Sequence, residues 1–330
     1  MGQRHIFKRR RESHYLFNNT PGATTAFPDD FRMISGDPTI RTLDASSFSQ
    51  QAVTFLCLDF SGKSNRYNEL PRGQRCPSGI RSQINFYSCW NGRDVDSPDH
   101  RSHVAWPSTG PDNGTCSDPA FPVTLPRIFI EVYWYSQAFE DQRRHALTPT
   151  QPFVYVVRLL TYIYGVLVDF LMEADPTGYG NHADFFNGWD KGVLQRALDQ
   201  CNCNPYGDPT CCVDQGIFGM NKSTACFITD TVDEPTLGML DALPGNNPVQ
   251  APLAGYEAYI DPITPAILDP VYVYNGSSGA PTGTIATPAQ TANVTQTANG
   301  TCIWKGDARK STGARNWILL PIFLLFNFIC

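Results

Sequence analysis

Charge is scarce in this sequence. Asp, Glu, Lys and Arg make up 17% of its 330 residues, where an ordinary globular domain has about 25%, and the net charge is -6. A nucleic-acid binder needs a basic surface, so nucleic acid is excluded as a partner. No spacing matches a familiar catalytic signature, and no internal repeat is present. The basic segment Lys8-Arg9-Arg10-Arg11 is followed by no apolar run of the length that a secretory signal requires. Ile6 stands where N-myristoylation needs Ser or Thr.

Apolar side chains are plentiful, at 42% hydrophobic and 12% aromatic, but 26 Gly and 26 Pro interrupt them. That supports one core built from short elements. Phe31–Ile34, Val53–Leu58, Gln83–Tyr87 and Arg127–Trp134 read as strands, separated by clusters of Gly, Pro, Asn and Asp. The expected fold is mainly β: an antiparallel β-sandwich-like core with long, disulfide-stapled loops and few helices. One helix is expected over Asp190–Gln200, where Val193, Leu194, Ala197 and Leu198 form an apolar stripe.

Eleven cysteines and six Asn-x-Ser/Thr sites (Asn18, Asn113, Asn221, Asn275, Asn293 and Asn299) occur together. Chance would give roughly three such sites. The combination points to an extracellular, glycosylating compartment, at the cell surface or cell wall. Cys76 is expected to pair with Cys89, and Cys211 and Cys212 with different partners, since adjacent cysteines do not readily bridge. Zinc ligation by Cys201, Cys203, Cys211 and Cys212 is the lesser alternative, because the spacing is unlike the common C-x2-C pairs.

The chain closes on WILLPIFLLFNFIC (Trp317–Cys330), preceded by a polar spacer and by Gly306 and Ala308. This is the layout of a GPI-attachment signal, with a hydrophobic tail anchor as the alternative; either gives a membrane partner. If the tail is removed Cys330 goes with it, and ten cysteines remain to pair. Ahead of it the Thr/Ala/Pro/Gly-rich stretch of residues 251–305 reads as an O-glycosylated stalk. A globular core is expected over 27–250, and residues 1–26 are expected to be a mis-assigned start. Phe153–Met172 is a run of mostly apolar residues in which Arg158 and Asp169 make a membrane span costly. A buried helix and a retained intron are the other two readings.

Five segments carry a resemblance: FRMISGDPTIRT (Phe31–Thr42), CPSGIRSQINFYSCWNGRDVDSPDHRSHVAWP (Cys76–Pro107), FPVTLPRIFIEVYW (Phe121–Trp134), DPTGYGNHADFFNGWD (Asp175–Asp190) and LPGNNPV (Leu243–Val249). They resemble the domain of unknown function 1996, a family of secreted, mainly fungal proteins, some of which carry a carbohydrate-binding domain of the wall-stress-component type. The resemblance implies a secreted wall or surface protein. Relatives have an Arg-x-Asp-Pro and a Ser-x-His-x-His motif ahead of the position of Phe31, both missing here. They also lack a long apolar insert before the segment like DPTGYG, which is what makes a retained intron the expected reading of Phe153–Met172.

As a strand, DSPDHRSHVAWP would put Asp99, Arg101 and His103 on one face and His100, Ser102, Val104 and Trp106 on the other. His182 and Asp184 would likewise share a face. His103, His182 and Asp184 are the candidate ligands of a divalent metal, and the same three with Asp190 and Asp99 are the candidate catalytic groups. The alternative is that these polar residues satisfy loop hydrogen bonds. A glycosidase would need two carboxyls flanking a sugar, for which Asp99, Glu131, Asp184 and Asp190 are the sources. Trp90, Trp106, Trp134, Trp189, Tyr87, Tyr133 and Tyr179 would stack on sugars if exposed and form core if buried. The function expected is binding or hydrolysis of cell-wall polysaccharide, with a non-catalytic wall glycoprotein or an inactive fragment as the alternatives.

Overall fold

A computed structural model describes residues 4–6, 9–18, 20–146, 148–163, 166–201, 209–219, 238–240 and 326–329. Its elements in chain order are β1 (Arg4–Ile6), β2 (Arg9–Leu16), β3 (Arg32–Gly36), α1 (Phe48–Gln51), β4 (Val53–Cys57), β5 (Asn65–Tyr67), β6 (Ile80–Asn85), β7 (Cys89–Trp90), β8 (Val104–Ala105), β9 (Val123–Thr124) and β10 (Arg127–Trp134). A 3-10 helix (Ser136–His145) follows, then β11 (Val154–Ile163), β12 (Val166–Asp175), β13 (His182–Phe186), α2 (Val193–Gln200), α3 (Thr210–Asp214), β14 (Gly238–Leu240) and β15 (Phe326–Ile329). The whole stalk, the LPGNNPV motif and the C-terminal segment apart from β15 lie outside the described residues.

The strands pair antiparallel, in the mainly β fold that the short apolar runs predict. The main sheet has the order β2-β10-β6-β4-β5. Its inner face carries Val53 and Phe55 from β4, Ile80 and Ile84 from β6, and Ile128, Ile130, Val132 and Trp134 from β10, all buried. The alternate positions Thr54, Arg81, Gln83, Asn85, Arg127, Glu131 and Tyr133 face the other way, as the two-residue period of a strand requires.

A two-stranded ribbon, β3 with β13, packs on the inner face. In its register Met33 faces Phe185 and Ser35 faces Ala183, and all four point into the core. Phe185 meets Phe27 and Phe86 at ring centroid distances of 4.7 and 6.2 Å. The Ser35 hydroxyl donates to the Asn85 carbonyl at 2.6 Å, tying the ribbon to β6. Gly36, Ile34, His182 and Asp184 therefore lie on the ribbon's outward side.

The described part of Phe153–Met172 is not a helix. From Val154 to Ile163 it forms β11 and from Val166 onward it belongs to β12, and the two strands pair from Tyr155↔Asp175 to Ile163↔Val166 with a register shift between Tyr155 and Val157. The content of β-branched and aromatic residues that is poor for a helix suits strands. Phe153 and Tyr155 at its start are fully buried, Tyr155 against Phe55 and Trp134. No helix among the described residues is long and apolar enough to cross a membrane.

Helix α2 starts at Val193, after Gly192 at φ +75°, and buries Val193, Leu194, Ala197 and Leu198 as its periodicity predicts. The cysteine pairing differs from expectation: Cys76 bonds Cys57 and Cys89 bonds Cys116. Sequence proximity does not decide this. Cys57 ends β4 opposite Ile80, the first residue of β6, and the chain entering β6 passes beside it, leaving Cα atoms 4.9 Å apart. Each of these loops, 19 and 27 residues in separation, contributes about 3 kcal/mol through the unfolded chain's lost entropy. Cys212 bonds Cys201, and Cys211 is disulfide-bonded to a different residue, so the two adjacent cysteines have separate partners.

Candidate functional site

The ribbon, α1 and the loop of residues 91–103 enclose a cleft of about 220 Å³ lined by Gly36, Asp37, Ser49, Tyr87, Arg101 and Tyr179, among others. The loop is not the strand its sequence predicts. Asp99 accepts from the Ser97 hydroxyl at 2.8 Å, the Arg101 and Ser102 amides at 3.1 and 2.9 Å, and the Ser102 hydroxyl at 2.8 Å. A short acceptor that competes for backbone donors in this way makes a turn rather than a strand. His100 sits at φ +55°, an unusual conformation for a residue with a side chain. Only Val104–Ala105 is extended.

The folded loop docks on the free edge of β3, where the amides of Arg32 and Ile34 donate to the Val95 and His100 carbonyls, each at 3.0 Å. His103 fastens it. Its Nε2 donates to the Arg32 carbonyl at 2.8 Å, its Nδ1 lies 2.8 Å from the Ser97 hydroxyl, and the ring meets Phe31 edge-on at 5.2 Å. Burial lowers its pKa, and a carbonyl only accepts, so Nε2 carries a proton. Both nitrogens of His103 are thus occupied in holding the loop to β3. Asp99, its carboxyl held far below its ordinary range chiefly by the Ser102 amide, likewise shapes the loop.

His182 and Asp184 do share a face of β13, opposite Gly36 and Ile34. Gly36 lies at φ +83°, and a Cβ there would come within 2.3 Å of the Asn181 carbonyl oxygen, so the ribbon closes this tightly only over glycine. The His182 imidazole is buried, its Nδ1 3.2 Å from the Gly180 carbonyl. Burial lowers its pKa and raises that of Asp184, against the attraction of His182, His100 and Arg101 for the carboxylate. Both shifts favour the neutral forms.

Asp37 behaves differently. Burial pushes its carboxyl up, but the Thr39 hydroxyl and amide and the Arg101 guanidinium, 3.6 Å away, outweigh it and hold the group ionised. On the far wall Tyr87 stacks on Trp106 at 4.0 Å, and the Ser49 hydroxyl accepts from Trp106 Nε1 at 3.0 Å and lies 3.4 Å from the Tyr87 hydroxyl. The turn leading from β12 to β13 is set by Asp175, which accepts from the Thr177 and Gly180 amides at 2.8 and 2.9 Å and faces Arg41 in a buried ion pair. That turn delivers Tyr179 to the cleft and His182 behind it.

Of the expected site residues, the structure brings His182 and Asp184 together, uses His103 and Asp99 to build the loop, and leaves Asp190 exposed at the turn into α2, its carbonyl accepting from the Val193 amide. No group of three or more His, Cys, Asp and Glu among the described residues is arranged to hold a metal ion. Glu131 and Asp184, two of the candidate sugar-flanking carboxyls, lie on opposite sides of the core, one on the outer face of the main sheet and one on the outward side of the ribbon. Trp134 is core, while Trp90, Trp106, Trp189, Tyr133 and Tyr179 are half-buried. Asp37, Arg101 and Ser49 are the residues that sequence reasoning did not place in the site. All three reach the cleft through loop docking and short turns, and Asp37 adjoins the glycine that the ribbon requires.

Comparison with known families agrees with four of the five motifs, LPGNNPV lying outside the match. The family described as Domain of unknown function (DUF1996) matches residues 3–189, beginning ahead of Phe27 and ending at Trp189. No curated protein and no solved structure matches the chain. The cleft residues from Gly36 to Tyr179, with His182 and Asp184, all fall inside the matched span, which takes in more than half of the sequence, and the chain belongs to the domain of unknown function 1996 family.

Proposed function

We propose that this is an extracellular protein of the cell surface or cell wall that binds wall polysaccharide, and that the ribbon cleft receives one sugar residue of the glycan. The observation that carries this is the cleft itself: an ionised carboxylate and a guanidinium held face to face, a serine hydroxyl and two tyrosines around a space of about 220 Å³. Paired acceptors and donors match vicinal hydroxyls, and aromatic walls match the apolar faces of a pyranose. The extracellular setting is supported by the disulfides and by the exposure in loops of Asn18 and Asn113, the two glycosylation sites among the described residues. Attachment through the C-terminal segment, by lipid or as a tail anchor, belongs to the same reading.

Hydrolysis is the second reading, favoured by one feature. Asp37, held ionised, lines the cleft, and Asp184, its pKa raised by burial, stands on the same ribbon though not among the lining residues; they would be the carboxylate and the protonated acid that glycoside cleavage uses. Screening the full chain against chitin, β-glucan and mannan oligosaccharides, followed by product analysis, separates the two. Binding without products, unchanged in Asp184→Asn, is the expected result. Products that disappear in Asp184→Asn would establish hydrolysis, and no saturable binding to any wall oligosaccharide would remove both readings.

A further inference from the structure

The outer face of the main sheet holds a second, larger groove, of about 380 Å³, whose floor comes from paired strands. Thr54, Gln83 and Glu131 form one cross-strand row, Asn85, Phe129 and His14 the next, and Arg127 with Leu16 a third. Thr54, Gln83, Asn85 and Glu131 are buried although they face away from the core. Asp112, paired with Arg66 at 3.7 Å, walls one side.

Two groups in the groove are incompletely matched. Glu131 accepts from Arg81 at 2.9 Å, from the Gln83 amide nitrogen at 3.4 Å and from the Tyr133 hydroxyl at 3.3 Å, with His14 at 3.3 Å. A carboxylate only accepts, so it fixes the Gln83 amide with nitrogen inward. Gln83 Oε1 is left buried with no hydrogen-bond partner among the described residues, in a side chain whose residue is only 6% exposed. An acceptor in that position costs about 1–3 kcal/mol unless a donor reaches it. At the other end Arg127 donates to the neutral Asn85 side chain and makes no ion pair among the described residues, although the Asp112 carboxylate, itself paired with Arg66, also attracts it. The two ends are separated by four residues along β10, about 13 Å at roughly 3.3 Å per residue. The half-exposed Phe129 ring lies between them.

We propose that this groove is a second binding site, for an acidic saccharide: its anionic group on Arg127, an apolar ring face on Phe129 and a hydroxyl donating to Gln83 Oε1. Guanidinium matches a carboxylate or a sugar phosphate equally in geometry, and the probes distinguish them. The site is independent of the ribbon cleft.

The test is calorimetric titration of the full chain with digalacturonate, its dimethyl ester and glucose 6-phosphate. The acid should bind at least tenfold more tightly than the ester. Arg127→Gln should erase that preference and Arg127→Lys retain part of it. Gln83→Met should weaken acid and ester alike, by about fivefold, and Asp37→Ala should change neither. Binding of glucose 6-phosphate with loss in Arg127→Gln, in place of digalacturonate, would support the site with phosphate as the anion. Equal binding of acid and ester together with no binding of the phosphate, or a preference for the acid that persists in Arg127→Gln with unchanged near-UV circular dichroism, would overturn it.

Discussion

On the outer face of the main sheet, Glu131 is buried yet holds its charge: burial pushes its carboxyl up, but His14, Arg81 and Tyr133 outweigh it and leave the pKa below the ordinary value. On the outward side of the ribbon, Asp184 is also withdrawn from water, yet its pKa rises, because the attraction of His182, His100 and Arg101 does not offset burial. The guanidinium nearest to hand there, Arg101, is directed to Asp37 instead. Depth of burial is therefore not what separates the two carboxyls. What differs is whether a full set of donors arrives with the carboxylate, and the ribbon, two strands wide and crossed by a loop, brings fewer than the three adjacent strands β2, β10 and β6 do.

Stripping the sheet side of its main donor should give the largest effect. Arg81→Leu leaves Glu131 buried and short of its closest cation, and should cost about 3–5 kcal/mol in urea unfolding; Arg81→Leu combined with Glu131→Gln should recover much of that, and equal losses in the single and double variants would break the contrast. On the ribbon side the weak point is the backbone. Gly36→Ala meets the Asn181 carbonyl and forces a side chain into positive φ, with an expected loss of about 2–3 kcal/mol. The same substitution at Gly73, whose φ is also positive but whose Cβ would meet nothing within 4 Å, should cost only about 1 kcal/mol.

The smallest and most diagnostic effect is in pH dependence. Glu131, with its folded pKa lowered, contributes stability that is present above the ordinary carboxylate range of about 4.3 and lost as pH falls through its folded value. Asp184, with its folded pKa raised, contributes stability that is fully present below about 3.9 and lost as pH rises through its folded value. Glu131→Gln should therefore flatten the acid limb of the stability profile. Asp184→Asn should gain on the parent protein toward neutral pH and lose that gain in acid. Two variants with the same slope, measured by denaturant unfolding between pH 3 and 8, would show that the two carboxyls do not differ.

Much of the scaffold was legible in the residues. The runs at Val53–Leu58 and Arg127–Trp134 hold β4 and β10, the stripe of Val193, Leu194, Ala197 and Leu198 marks α2, and the two-residue period puts His182 and Asp184 on one face. These signals are local, and local periodicity survives into the fold. The 91–103 loop was not legible, because its shape comes from the Asp99 carboxylate capturing amides and from His103 reaching the Arg32 carbonyl, 71 positions away. Nor was the Cys57–Cys76 bond, which depends on how β4 and β6 register. Glu131 and Asp184 looked interchangeable as candidate carboxyls; only the layering of ribbon on sheet puts them on opposite sides.

In the reading proposed above, the ribbon cleft, not the polar sheet face, holds the neutral wall glycan. The most direct test of that reading is the binding isotherm of Asp37→Ala for whichever neutral wall oligosaccharide the parent protein binds, run beside that of Arg127→Gln. Affinity should fall at least tenfold in Asp37→Ala and stay unchanged in Arg127→Gln. Parent-like affinity in Asp37→Ala, with the loss appearing in Arg127→Gln, would contradict it.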